Sequence, residues 1–111
     1  MSINEYLEAT RDERNAKGYK FLTVRPAIVC GDGLTLSVQA SATHYCWPRD
    51  IYGPYSEVEI GFPSAEISEI MQWAETPATP LETVYGYVPV EVVDAVIAAH
   101  GGIANAPQTT R

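Results

Sequence analysis

The spacing of apolar positions changes repeatedly along the chain, and each change marks a predicted element. Ile3, Tyr6, Leu7 and Thr10 recur at helical spacing behind Ser2, which forms an S-x-x-E capping box with Glu5, so a first helix runs on until Gly18 stops it. Its other face carries Glu8, Arg11, Asp12, Glu13, Arg14 and Lys17, so it lies on a core rather than inside one. From Tyr19 the period becomes two. Phe21 to Val24 and Ala27 to Cys30 are strand-like runs interrupted by Pro26, which removes a ladder donor and marks an edge or a bulge. Gly31-Asp32-Gly33 is a hairpin turn, after which Leu34, Leu36 and Val38 alternate with Thr35, Ser37 and Gln39. The pattern predicts a hairpin over roughly residues 20 to 40.

Residues 40–55 break the pattern: His44, Tyr45, Cys46, Trp47, Arg49, Tyr52 and Tyr55 crowd together with two prolines and a glycine. A short strand at 43–47 followed by a loop accommodates them. Val58, Ile60 and Phe62 alternating with Glu57 and Glu59 predict a strand with one wet face. Ser64 stands as the cap of a second helix with Ile67, Ile70, Met71 and Ala74 on its stripe, ended by Thr76-Pro77. TPATPLET reads as a surface loop, Val84 to Val88 as a fifth strand, and Pro89 as the start of a third helix buried through Val92, Val93, Val96 and Ile97. Gly101-Gly102 closes that helix. Strands and helices do not strictly alternate, so the expected fold is α+β: a mostly antiparallel sheet of about five strands with an N-terminal helix and two later helices packed on it. Residues 1–103 form one domain and 104–111 a flexible tail.

Composition adds bounds. The chain of 111 residues is 46% hydrophobic and 19% charged, within the range of folded single domains. Its net charge of -7 is unevenly spread. Residues 1–49 carry six bases and five acids, whereas residues 50–111 carry one base, Arg111, and nine acids. The second half has nothing with which to track phosphates, so direct nucleic-acid binding is not expected. No run is long and apolar enough for a membrane span, and the charged N-terminus lacks an apolar secretory core. A cytoplasmic setting is expected, with Cys30 and Cys46 as thiols.

Catalytic and metal motifs are thin. His44 and Cys46 would share a strand face, yet no third group orients the imidazole. Cys30, His44, Cys46 and His100 are zinc-ligand types without paired spacing, and the Gly31-Asp32-Gly33 turn lacks the Lys-Ser/Thr of a phosphate loop. No enzyme activity and no cofactor are expected. Binding chemistry is richer. Tyr45 and Trp47 offer stacking surfaces beside Arg49, Arg25 adds a second cation, Gln39 and His44 offer hydrogen bonds, and Tyr85 and Tyr87 stand on one face of the last strand. Such a set suits a small anionic ligand bearing a base. The acids Glu57, Glu59, Glu66, Glu69, Glu75, Glu82, Glu91 and Asp94 support a different use, a negative surface that occupies a basic groove on a partner protein.

The stretches GYKFLTVRPAIVCGDGLTLSVQASATHYCWPR, VEIGFPS and VYGYVPVEVVDAVIAAHGG give the chain, over residues 1–103, a general pattern that resembles small accessory proteins encoded by tailed phages and prophages. The resemblance implies counter-defence by stoichiometric binding in a bacterial host cell. Either a nucleotide-derived immune signal is sequestered, often within an oligomer, or a nucleic-acid-binding defence complex is inhibited. A homo-oligomer is expected on size as well, since so small a domain has little depth in which to enclose a ligand. The exposed part of the third helix (Val90, Val93, Ile97) and the strand of Tyr85 and Tyr87 are the candidate contacts.

Overall fold

The computed structural model describes residues 1–12 and 24–107. Helix α1 (Ile3–Ala9) starts as expected: the Ser2 hydroxyl accepts from the Glu5 N–H, and the Glu5 carboxylate accepts from the Ser2 N–H. It ends at Ala9 rather than near Gly18. The Thr10 hydroxyl turns back onto the Tyr6 carbonyl and a buried side chain from elsewhere in the chain takes the Leu7 carbonyl, satisfying the free end. The predicted strand residues 21–23 lie outside the described residues, and Val24 is exposed and irregular.

The hairpin forms from β1 (Ile28–Val29) and β2 (Thr35–Gln39), paired antiparallel with Ile28 opposite Leu36. β3 (Glu57–Gly61) and β4 (Val84–Pro89) complete a four-stranded antiparallel sheet in the order β1-β2-β3-β4. The expected strand at 43–47 is absent as a strand. There the Ser41 hydroxyl accepts the Thr43 N–H and the Cys46 N–H bonds the His44 carbonyl, so local side-chain and turn bonds outcompete a ladder. Only Trp47 pairs, as a single bridge to Glu57 where β2 has ended.

The second helix is a six-residue 3-10 turn, Ser68–Trp73, and Ser64 does not cap it. The Ser64 hydroxyl instead accepts from the Thr35 N–H while its own N–H donates to the Thr35 carbonyl, tying the loop to the start of β2. Phe62 also departs from the predicted alternation. Its φ of 50° turns the chain out of β3, and the ring is exposed instead of joining Val58 and Ile60.

α2 (Val90–Ala99) follows β4 directly and is closed by Gly101 and Gly102, both at positive φ. Val93 and Ile97 are buried, so they are core and not an exposed contact for a second copy. The core lies where one sheet face (Leu36, Val38, Val58, Ile60, Tyr85, Val88) meets α1, the 3-10 helix and α2. Both sheet edges are covered. The Ala104 N–H bonds the Val29 carbonyl and the Asn105 amide bonds Val29 and Ala27, so these two residues extend the β1 edge although the sequence placed them in a tail. At the other edge Ala74 and Glu75 lie along β4. Among the described residues no helix is long and apolar enough to cross a membrane.

Candidate functional site

One irregularity arranges the aromatic residues. Ile60 pairs with Tyr85 and Val58 with Val88, so a step of two on β3 faces a step of three on β4. The extra residue is a bulge at Gly86-Tyr87, with Tyr87 at a φ of 57°. Period-two alternation puts Tyr85 and Tyr87 on one face; the bulge puts them on opposite faces. Tyr85 is fully buried, its hydroxyl donating to the Pro80 carbonyl and its phenol pKa pushed up by burial. Tyr87 is exposed.

The Tyr87 N–H donates to the Tyr45 carbonyl at 3.0 Å, and the Tyr45 N–H donates to the Glu59 carboxylate at 2.9 Å. A β-carbon on Gly86 would meet that of Tyr45 at 3.2 Å, so a glycine at this position lets the 41–47 segment lie against the strand. Tyr45 and Tyr87 rings are held 6.0 Å apart with planes tilted by 38°, an arrangement favourable to aromatic pairs. The Arg49 guanidinium sits 5.9 Å from the Tyr45 ring centre, and among the described residues it has no carboxylate partner. Tyr45, Tyr87 and Arg49 thus share one exposed face, and Trp47, two residues beyond Tyr45 in the chain, is 61% exposed.

Four other sequence-predicted contacts are committed elsewhere. Arg25 is buried, and its guanidinium donates to the Leu7 and Ala40 carbonyls. Gln39 is also buried, with its amide bonded to the Arg25 backbone in both directions. Tyr85 is core. His44 is half-buried, and its Nδ1 lies 2.7 Å from the Ser41 hydroxyl. Two of the acids expected on the negative surface make internal bonds: Glu59 accepts the Tyr45 N–H and Asp94 accepts the Ile3 N–H at the start of α1. No hydropathy signal singles them out, because the pairing comes from chain crossings.

The thiols are separate: Cys46 donates to the Ser41 and Pro48 carbonyls, and burial pushes both Cys30 and Cys46 above the ordinary thiol pKa. A protonated thiol is a poor nucleophile, and Cys46 bonds carbonyls rather than His44. Among the described residues no three His, Cys, Asp or Glu side chains converge on a point that would hold a metal ion.

His44 carries a pH prediction. Burial lowers its pKa from the ordinary 6.5, while Glu59 pulls the other way and Arg25 adds to the lowering. Below about pH 6.5 the unfolded chain therefore binds a proton that the folded chain resists, and stability falls as pH drops through that value. Urea midpoints at pH 7.5 and 5.5 should show a larger acid loss for the native chain than for His44→Asn. Equal losses would remove His44 as the cause.

Compared with known protein families, with curated proteins and with solved structures, the chain matches none.

Proposed function

We propose that this protein is a non-enzymatic binding module whose Tyr45-Trp47-Arg49-Tyr87 face takes a small nucleotide-like anion, the use expected of a counter-defence protein that sequesters an immune signal. The observation that carries the reading is the unpaired state of Arg49, among the described residues, over an exposed tyrosine ring. A guanidinium without a carboxylate partner is available to a phosphate, and flat rings beside it give a base a stacking surface at small conformational cost. Arg49 is assigned the phosphate, and Tyr45 and Trp47 the base. The face is open, so apposition of two copies through it would supply the enclosure that one domain lacks.

Calorimetry with cyclic dinucleotides, cyclic ADP-ribose isomers and linear nucleotides tests the reading. At least one should bind, and Arg49→Ala or Trp47→Ala should weaken it by about tenfold or more, roughly the worth of one charge-assisted contact or one stacked base. Absence of heat across the set would overturn the reading.

A further inference from the structure

A second surface lies away from the aromatic face, between the 3-10 helix and α2. There Trp73, Val92, Ala95 and Val96 line a groove of about 490 Å³. Val96 is buried and Trp73 and Val92 are half-buried, so the floor is continuous with the core, whereas Glu69 and Glu91 stand exposed at its rim. Glu69 is held well ionised, its carboxyl pKa lowered by hydrogen bonds to its own backbone N–H and to the Ser68 hydroxyl.

The charged residues that line this groove, Glu69 and Glu91, are both acids, with His100 near enough to Glu69 to act on its carboxylate. Between Arg49 and Arg111 the sequence holds no lysine or arginine, and both walls come from that stretch. An apolar trough between two carboxylates, with an indole ring in its wall, matches a particular chemistry: an apolar side chain to fill the trough, and Lys or Arg on either side to meet the rim and the ring. An anionic or purely apolar partner gains nothing from the rim.

We propose that the groove between the 3-10 helix and α2 is a docking site for a cationic, amphipathic segment of a partner protein, an apolar anchor in contact with Trp73 and flanking basic residues on Glu69 and Glu91. This is helix-in-groove or extended-segment recognition, with charge setting the choice of partner and apolar contact supplying much of the affinity. It does not depend on the aromatic face, which lies on other elements.

The chain has two tryptophans, so a Trp47→Phe background leaves Trp73 as the sole indole reporter. A short amphipathic Leu/Lys peptide should shift Trp73 emission to the blue in a saturable way. The matching Leu/Glu peptide and a Ser/Lys peptide without apolar anchors should not. Glu69→Lys with Glu91→Lys should weaken Leu/Lys binding by about tenfold or more at low salt. Glu75→Lys with Glu82→Lys alters net charge equally outside the groove and should have little effect. Circular dichroism of each variant checks that it is folded. Equal loss in the two double variants, equal binding of the Ser/Lys peptide, or no Trp73 shift would overturn the proposal. A blue shift that grows with protein concentration alone would give the groove to a second copy of the chain and overturn it as well.

Discussion

Replacing Arg25 with methionine is expected to lower the unfolding free energy by about 3 kcal/mol, and so to reduce Tm by about 10 °C or more. The guanidinium is only 8% exposed and satisfies two carbonyls at once: Nε and Nη2 donate to Leu7 O at 3.2 and 3.0 Å, and Nη1 donates to Ala40 O at 2.6 Å. Leu7 lies in the last turn of α1, a seven-residue helix too short to persist without tertiary support. A cation there answers the negative end of the helix as well as its free carbonyl. Burial pulls the Arg25 pKa down, but an arginine has ample margin and stays charged.

Two effects compete in the variant. Methionine escapes the desolvation penalty of a buried cation and fills part of the same channel, which favours it. It leaves two buried carbonyls without donors and α1 without its end cap, at about 1 to 3 kcal/mol for each unmade bond. The second effect should win, because both acceptors belong to fully buried residues that cannot turn to water. Urea titrations of native protein, Arg25→Met and Arg25→Lys test this, with lysine intermediate because it lacks the planar fork. A loss under about 1 kcal/mol for Arg25→Met would show that the carbonyls find other donors. Arg25 carries this role in stability, and ligand binding at the aromatic face should survive in any Arg25 variant that remains folded.

The second large effect is expected at Gly31. An alanine β-carbon there would sit 2.7 Å from the Gly101 carbonyl oxygen and 3.1 Å from its carbonyl carbon, both backbone atoms that cannot swing aside. The clash falls where the β1–β2 turn docks onto the end of α2 through the Gly31 N–H to Gly102 O and Asp32 N–H to His100 O bonds, each 3.0 Å. Relieving it means separating these elements and lengthening both bonds. A cost of about 2 to 3 kcal/mol follows from overpacking with a backbone shift. The hydrogen bond between His100 Nδ1 and the Asp32 carboxylate at 2.6 Å joins the same two elements, but both groups are substantially exposed and the contact adds little. Gly33→Ala provides the contrast. Nothing lies near its added carbon, and only the positive φ of 96° is penalised, so about 1 kcal/mol is expected. Thermal melts in which Gly33→Ala is as damaging as Gly31→Ala would place the constraint in turn conformation and not in the docking contact.

These two sites show where the sequence is legible and where it is not. The capping box of Ser2 and Glu5, the hairpin about Asp32, the alternation of Val58 and Ile60 against the two glutamates, and the closing pair Gly101-Gly102 all act within a few residues, and each appears in the fold. The α+β class follows from their order. The misplaced elements share a cause: a local group was captured by a distant one. Ser64 looks like a helix cap but its hydroxyl is taken by Thr35, and the first helix looks long but finds its end at Thr10 with Arg25 beneath it.

The sequence by itself determined an α+β domain of strongly divided charge, with aromatic residues concentrated around the last internal base, Arg49. Tertiary structure decided which of those side chains remain available. Burial consumed Arg25, Gln39 and Tyr85, the bulge at Gly86-Tyr87 turned a same-face pair into an inner and an outer tyrosine, and Glu59 fixed Tyr45 beside Tyr87. The physical reason is that residue type fixes what a group can bond, while burial and chain crossing fix whether the protein has already bonded it.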